Sequence, residues 1–316
     1  MKLFIMALLA VWMVHNPAAA KPYSKSSKAQ VKAQPRHQAK AQPRAYRKAR
    51  VQPTRFAAAL PDEDADGNPA LRSSAVLVID QADGRHVFGK NISAVQPIAS
   101  ITKLMAAMVV LDAKLDLNEL VQISDDDVDG LKHTRSRLGL GTTLPRDDLM
   151  RLALMASENR AAAALGRSYP GGMPAFVQAM NDKAIELGMF HTRFVDSTGL
   201  SRENVSTAED LAKMVTAAYG YPVIQQYTTL TAHSVRSASG RLIMYGNSNG
   251  LVKSDQWHIG VSKTGYISEA GRCLVMHAQI AAKPFVIVLL DSWGKQTRIG
   301  DANRIKKWIE SHLTRS

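Results

Sequence analysis

The sequence predicts an α+β fold in which the two ends of the chain complete one sheet and a helical lobe is inserted between them. Near the N-terminal end, Ala75–Asp80 is apolar and β-branched, and the turn Ala82-Asp83-Gly84 leads into a second strand near Arg85–Gly89. At the C-terminal end, three further segments have strand character: His258–Thr264, Arg272–Ala281 and Phe285–Asp291. The region between these two groups is mostly helical in pattern.

Apolar residues at helical spacing predict the helices. The first helix covers Ser100–Ala113, with Pro97 just ahead of it and Ser100 at the position where a helix should begin. The other predicted helices are Arg146–Met155, Pro174–Leu187, Thr207–Ala218 and Asp301–His312.

The first twenty residues have the pattern of a secretory signal. Lys2 is followed by an apolar run from Leu3 to Val14, then by the helix breakers Asn16-Pro17 and three alanines that end at Ala20. The apolar run is 12 residues long, whereas a bilayer span needs about 20. We therefore expect cleavage after Ala20 and export without a transmembrane anchor.

Residues 21–69 are predicted to form a disordered, basic, Ala/Gln/Pro-rich tail, and residues 70–316 the folded domain. The segment from Lys21 to Phe56 holds 11 Lys and Arg and no Asp or Glu. Without it and Lys2, the chain keeps 28 basic and 27 acidic residues, so most of the net charge of +13 belongs to the tail. This distribution argues against a nucleic-acid partner. It fits either contact with an anionic envelope surface or a solvated spacer.

The first candidate site is Ser100-Ile101-Thr102-Lys103, an S-x-x-K motif at the start of a predicted helix, where positions i and i+3 share a face. A serine hydroxyl needs a base within hydrogen-bond reach, and Lys103 can serve if its amine is neutral. Burial and neighbouring positive charge would both lower the lysine pKa toward that state. Taken alone, the motif is also compatible with a helix-capping serine followed by a surface lysine.

Two further motifs follow in the chain. Ser157-Glu158-Asn159 comes after an apolar helix, and its serine and asparagine are spaced to point into one cleft, although an N-cap for the following alanine-rich segment is the alternative. Lys263-Thr264-Gly265 ends a β-branched strand, where the missing side chain of Gly265 lets a substrate backbone or another strand come close.

The order of these three motifs is a signature of penicillin-binding proteins and class A β-lactamases. The chain resembles the low-molecular-weight penicillin-binding proteins, the serine DD-peptidases, and most closely their D-alanyl-D-alanine endopeptidase branch. The resemblance runs from about Ser74 to His312 and includes residues 196–201 (DSTGLS), Asn204 and the strand at 270–275. It implies a five-stranded antiparallel sheet flanked by helices, an all-helical lobe, an active site between them, and a periplasmic location.

The resemblance also implies residue roles. Ser100 would be the acylated nucleophile, Lys103 its base and Ser157 a proton relay through Lys263. Asn159 would hold the peptide amide of the substrate, and Thr264 with Lys263 would bind its terminal carboxylate. The N–H groups of Ser100 and Tyr266 would stabilise the oxyanion. Arg298 would also bind a carboxylate of the substrate. Arg298 is matched only by its place before the last helix, where a surface arginine is the alternative.

The implied reaction is cleavage of D-alanyl bonds in peptidoglycan stem peptides and cross-bridges, with no metal or cofactor, and with β-lactam antibiotics as covalent inhibitors. No segment matches the deacylating glutamate motif of class A β-lactamases, so efficient β-lactam hydrolysis is not expected. The chain continues for about fifty residues after Gly265, which favours the endopeptidase branch over longer carboxypeptidases. The alternatives are a DD-carboxypeptidase that removes a terminal D-Ala and a catalytically silent wall-binding protein.

Other chemically suggestive residues are interpreted as structural. The nine histidines include no H-x-x-x-H pair. Asp125-Asp126-Asp127 lacks the glycine and terminal glutamate of an EF-hand loop. Cys273 lies in an apolar strand and is predicted to be a small buried hydrophobe.

Overall fold

The computed structural model describes residues 62–313, so the predicted signal peptide and most of the predicted tail lie outside the described residues. The strands are β1 (Ser73–Asp80), β2 (His86–Lys90), β3 (Gln96–Pro97), β4 (Leu120–Gln122), β5 (Thr143–Pro145), β6 (Val205–Ser206), β7 (Ala232–Arg236), β8 (Leu242–Gly246), β9 (His258–Ile267), β10 (Gly271–Ile280) and β11 (Lys283–Ser292). The helices are α1 (Thr102–Asp112), α2 (Arg146–Met155), α3 (Asn159–Arg167), α4 (Gly172–Glu186), α5 (Ala208–Tyr219), α6 (Pro222–Thr229) and α7 (Thr297–Leu313).

One antiparallel sheet joins the two ends of the described chain, in the strand order β2-β1-β11-β10-β9. The middle strands β1, β11 and β10 are buried almost throughout, because helices cover both faces of the sheet. This explains why their sequences are continuous apolar runs rather than alternating ones. The strand β9 lies at one edge of the sheet.

Helices α5 and α7 pack against opposite faces of the sheet. Leu211 and Val215 of α5 belong to the large hydrophobic core that includes Leu77 of β1. Ile305 and Ile309 of α7 belong to a second core on the other face. The spacing of these apolar residues by four positions is the pattern from which both helices were predicted.

The helical lobe surrounds α1. This helix is buried from Thr102 to Val110, and it contacts α2, α3, α4, α5 and α6. A helix that is apolar on all sides must be buried, so the lobe assembles around α1. None of the helices in residues 62–313 has both the length and the apolar character needed to span a bilayer.

The structure differs from the predicted elements in several places. The first helix begins at Thr102, and Ser100 lies before it in a 3-10 turn. The last helix begins at Thr297, four residues before the predicted Asp301. The helices α3 and α6 and the β7–β8 hairpin were not predicted.

Residues 62–69, which the sequence analysis counted with the tail, contact the last helix. Trp308 Nε1 donates a hydrogen bond to the carbonyl of Gly67 at 2.8 Å, and Lys307 forms an ion pair with Asp62. These contacts are polar and use the backbone, so the apolar pattern of the sequence gave no sign of them.

Asp301 connects α7 to β1, and its replacement by asparagine is expected to weaken the fold. Its carboxylate is fully buried and accepts hydrogen bonds from the N–H of Ser73 at 2.8 Å, from Ser73 Oγ at 2.6 Å and from Arg304 at 2.6 Å. We expect Asp301→Asn to lower the free energy of unfolding by about 1–3 kcal/mol. The measurement is urea denaturation, with Asp255→Asn at an exposed position as the control. Equal stabilities of the two variants would contradict the prediction.

Candidate active site

Ser100 lies in a 3-10 turn, Ala99–Ile101, that leads directly into α1. Its side chain does not cap the helix, because the N-cap residue is Ile101 and no side chain caps that end. Ala99 has a φ of 50°, an uncommon backbone conformation for a residue with a side chain. The alternative of a helix-capping serine is therefore excluded.

Lys103 is fully buried beneath this turn, at 1% exposure. Its Nζ lies 2.8 Å from Ser100 Oγ, 2.8 Å from Asn159 Oδ1 and 2.6 Å from the carbonyl oxygen of Thr198. The first two motifs of the sequence thus meet at one amine.

Burial lowers the pKa of Lys103 to about 7, although the carboxylates of Asp196 and Glu158 oppose this shift. A neutral amine has two N–H groups and one lone pair. Asn159 Oδ1 and the Thr198 carbonyl can only accept hydrogen bonds, so they take both N–H groups. The lone pair is then left for the hydroxyl of Ser100, the geometry that proton removal from Ser100 requires.

The loop from Asp196 to Ser201 holds the Thr198 carbonyl in place. The Asp196 carboxylate accepts hydrogen bonds from the N–H groups of Thr198 at 2.6 Å, Gly199 at 2.6 Å and Ser201 at 2.9 Å. Gly199 has a φ of +79°, and a Cβ there would lie 2.0 Å from the carbonyl oxygen of Ala99. The loop and the Ser100 turn are therefore in direct backbone contact, which only glycine allows.

The second motif turns sharply between α2 and α3. Ser157 has a φ of 60°, and Asn159 is the first residue of α3. The N-cap is Glu158, whose side chain accepts a hydrogen bond from the N–H of Arg160. The alternative of an N-cap motif thus applies to Glu158, while Ser157 and Asn159 contact the two lysines.

The third motif lies on β9, where Lys263 and Thr264 are both buried. Lys263 Nζ lies 2.8 Å from Ser157 Oγ and 2.9 Å from the carbonyl oxygen of Thr264. Thr264 Oγ1 donates a hydrogen bond to Ser248 Oγ at 2.7 Å. Burial, together with the positive charges of Lys103 and Arg298, holds the pKa of Lys263 well below its ordinary value.

Gly265 lets β9 approach the Ser100 turn. A Cβ on this residue would lie 2.9 Å from the carbonyl oxygen of Ile98 and 3.2 Å from the backbone nitrogen of Ser100. The sequence predicted a close approach at Gly265, and the neighbour in the structure is the turn that carries Ser100. A side chain here would push the first motif away from the third.

Tyr266 and Arg298 adjoin the third motif. The Tyr266 side chain is exposed, and the guanidinium of Arg272 stacks 4.4 Å from its ring centroid. Arg298 Nη1 donates hydrogen bonds to the carbonyl oxygens of Gly265 at 2.9 Å and Cys273 at 3.3 Å. Burial, with the positive charge of Arg272, lowers the pKa of Arg298. Arg298 is therefore beside the site rather than on a remote surface.

Three contacts of the site were not anticipated from the sequence. Thr198 contributes a backbone carbonyl, Ser248 contacts Thr264, and Thr134 Oγ1 accepts a hydrogen bond from Asn159 Nδ2 at 3.0 Å. Backbone carbonyls and isolated hydroxyls leave no pattern in a sequence. Among residues 62–313, no group of three or more His, Cys, Asp and Glu side chains is placed to hold a metal ion.

Cys273 is buried, as predicted. Burial raises the pKa of its thiol to about 11, so the thiol stays protonated at neutral pH. It is a packing residue of β10.

The site lies between a sheet and a helical lobe and contains a serine and two buried lysines. This arrangement defines the class of serine enzymes that includes penicillin-binding proteins and class A β-lactamases. The chain belongs to the D-alanyl-D-alanine carboxypeptidase family, which matches residues 62–294. Its membership confirms the predicted family, fold class and enzyme class, a serine-type D-alanyl-D-alanine peptidase.

Several known proteins are similar to the chain. The D-alanyl-D-alanine endopeptidase of Pseudomonas aeruginosa is 45% identical over 242 residues, which cover 76% of this chain and 78% of the relative. The D-alanyl-D-alanine endopeptidase of Escherichia coli is 43% identical over 244 residues, which cover 77% and 79%. The crystal structure of the Streptomyces K15 DD-transpeptidase has a TM-score of 0.70 and 25% identity, with 76% of this chain and 97% of that chain covered.

Replacing Gly199 by alanine is expected to disable the site, because the new Cβ would displace the turn that carries Ser100. A displacement of about 1 Å in an active site costs on the order of 10²-fold in rate. The measurement is the rate of covalent labelling by a penicillin, followed by intact mass. Gly240→Ala is the matched control, because Gly240 has a similar φ of +77° and nothing within 4 Å of its Cβ position. Equal labelling rates in the two variants would show that the close contact is unimportant.

Proposed function

We propose that the chain is an exported serine endopeptidase that cleaves the D-alanyl cross-links of peptidoglycan through an acyl-enzyme on Ser100. The observation that carries the proposal is the buried amine of Lys103, 2.8 Å from Ser100 Oγ with its other two partners restricted to hydrogen-bond acceptors. The names of the relatives in Pseudomonas aeruginosa and Escherichia coli support the endopeptidase activity.

In the acylation step, Ser100 Oγ attacks the carbonyl carbon of a D-alanyl residue while its proton passes to Lys103 Nζ. The carbonyl oxygen becomes negative and is stabilised by the N–H groups of Ser100 and Tyr266. Loss of one such donor costs on the order of 10²–10³ in rate. Gly265 supports this assignment, because its missing side chain brings β9 next to the backbone nitrogen of Ser100.

The leaving amine must gain a proton when the peptide bond breaks. Ser157 Oγ donates it and regains a proton from Lys263, which lies 2.8 Å away. The proton that Lys103 took from Ser100 reaches Ser157 through Lys263, because burial and the lowered pKa of Lys263 favour passing this proton on. Lys103, neutral again, then takes a proton from the water that attacks the ester and gives it to Ser100 Oγ as the ester bond breaks. The acid product leaves and Ser100 is free.

Substrate orientation falls to the polar groups around the two lysines. The side-chain amide of Asn159 holds the peptide backbone of the substrate. Thr264 and Lys263 bind the carboxylate that follows the scissile bond, and Arg298 adds positive charge on the same side. A penicillin presents the same carbonyl and carboxylate, so we propose that it acylates Ser100 and inhibits the enzyme.

Export and surface contact complete the proposal. The signal at residues 1–20 would direct the chain to the periplasm, where peptidoglycan lies. The basic segment that follows it would contact an anionic envelope surface through screened electrostatic attraction. No nucleic acid and no cofactor take part.

The second candidate activity is DD-carboxypeptidase, which the description of the family favours. It would use the same acyl-enzyme but release a single D-Ala from an uncross-linked stem. The third candidate is a catalytically silent wall-binding protein, which would bind peptidoglycan without cleaving it.

Muropeptide cleavage distinguishes the three activities. We expect the protein from Lys21 onward to split cross-linked dimers into monomers, and Ser100→Ala to reduce this rate by on the order of 10³-fold or more, because the nucleophile is lost. Mass-resolved chromatography measures both products. Loss of one D-Ala from pentapeptide monomers with dimers untouched would establish the carboxypeptidase, and no change in either substrate would favour the wall-binding protein.

The pH dependence of acylation tests the role of Lys103. Only the neutral amine accepts the serine proton, and the pKa of Lys103 is about 7. The rate of penicillin acylation should therefore rise about tenfold per pH unit below pH 7 and level off above it. The rate is measured from pH 5 to pH 9 by quenching the reaction at successive times and determining the intact mass of the protein. A midpoint near pH 10, the value of an exposed lysine, would contradict the assignment of Lys103 as base.

A further inference from the structure

A loop of the helical lobe, residues 129–134, is organised around one carboxylate. Asp129 accepts hydrogen bonds from the N–H groups of Leu131 at 2.8 Å, Lys132 at 2.9 Å and Thr134 at 2.8 Å, and from Thr134 Oγ1 at 2.7 Å. Burial alone would raise the pKa of Asp129, but these hydrogen bonds lower it. These hydrogen bonds therefore hold the backbone of the loop, including that of Lys132.

The same loop is connected to the active site. Thr134 Oγ1 accepts a hydrogen bond from Asn159 Nδ2 at 3.0 Å, and Asn159 Oδ1 contacts the Lys103 amine at 2.8 Å. The loop thus forms the wall of the cleft on the side of the helical lobe.

The turn between β9 and β10 forms the opposite wall. Glu269 lies in this turn, three residues after Tyr266, and Ser268 Oγ donates a hydrogen bond to its carboxylate at 2.7 Å. Lys132 Nζ forms an ion pair with the other carboxylate oxygen of Glu269. This ion pair, which we name the Lys132–Glu269 clasp, joins the two walls.

The proposed function sets the direction of the substrate along β9. Its carboxylate lies at Lys263 and Thr264, and its scissile carbonyl lies at the N–H of Tyr266. The part of the peptide before the scissile bond therefore runs past Tyr266 toward the turn that carries Glu269. A long acyl-donor peptide has to pass the clasp, whereas a small β-lactam ends before it.

We propose that the Lys132–Glu269 clasp is a gate at the acyl-donor end of the cleft, which must open for cross-linked stem peptides and can stay closed for small acylating agents. Lys132 and Glu269 are in this sense specificity-determining residues. The inference rests on the proposed function for the direction of the substrate.

The Lys132–Glu269 clasp is a weak interaction, as a gate that opens for each substrate requires. The two side chains are 28% and 32% exposed, and ion pairs at such positions change equilibria by only about 1.5- to 5-fold. The hydrogen bond from Lys132, with that from Ser268, lowers the pKa of Glu269 to about 2. Glu269 thus stays ionised at any pH at which the enzyme would be assayed, so the clasp responds to salt rather than to pH.

Charge variants of the clasp test the proposal. We expect Lys132→Met and Glu269→Gln each to raise kcat/KM for cross-linked muropeptide dimers by about 2- to 5-fold, because the gate no longer has to be opened. Raising salt from 50 to 500 mM should accelerate dimer cleavage by the wild type and not by these variants. The rate of acylation by a small penicillin should stay within 1.5-fold of the wild-type rate in both variants and at both salt concentrations. The double exchange Lys132→Glu with Glu269→Lys should restore the wild-type rate and its salt response.

Lys306→Met is the matched control, because it removes a partly exposed ion pair with Glu310 on α7. Unchanged dimer cleavage in both single variants would overturn the proposal. A parallel change in dimer cleavage and penicillin acylation would also overturn it, because it would indicate a shift of Asn159 instead of a gate.

The clasp and the endopeptidase activity can fail separately. If the wild type reacts with penicillin but cleaves no dimers, the endopeptidase proposal fails. The gate is then tested by acylation with two β-lactams, one without a side chain and one with an acyl chain as long as a stem peptide. Faster acylation by only the long compound in Lys132→Met supports the gate, and equal effects on both compounds refute it.

Discussion

The burial of two lysine amines next to each other is the constraint on which the site depends. Lys103 and Lys263 are each about 1% exposed, and an ammonium in such a place loses the solvation that water gives it. The partners of both amines are hydroxyl and carbonyl oxygens. These oxygens can accept hydrogen bonds from the neutral amine or from the ammonium. Mutual repulsion adds to burial at Lys263, where the charge of Lys103 is felt directly. The fold stabilises two bases that would be protonated in water.

The rest of the architecture can be understood from this constraint. One amine comes from α1, the most buried helix of the helical lobe, and the other comes from β9, at the edge of the sheet. The two have to be brought together without solvent between them. Gly199 and Gly265 make this possible, because each lets backbone approach the Ser100 turn where a Cβ would collide. The geometry of the site therefore depends on two positions without side chains as well as on its polar groups.

Much of the fold and of the site could be predicted from the sequence. Buried strands such as β11 leave continuous apolar runs, and amphipathic helices such as α5 leave periodic patterns. The three motifs carry Ser100, Lys103 and Lys263 in a recognisable order. The start of α1 was misplaced by two residues, because Ser100 satisfies the rule for a helix cap but uses its hydroxyl toward Lys103 instead. The helix α3 was missed, because its nine residues are too few to show a repeating apolar pattern. The Thr198 carbonyl could not be predicted at all, since every residue has one.

The position of β9 at the edge of the sheet has a consequence for how the molecule behaves among its own copies. A ten-residue edge strand offers unpaired backbone groups to any extended chain, and this usually promotes association of sheets. If the substrate binds along β9 as proposed, prolines cannot protect the substrate-binding part of this strand, because the substrate would need the same backbone groups. Here the Ser100 turn and α6 lie against β9. These elements leave too little room for the broad edge of a second sheet, whereas a single extended peptide is much thinner.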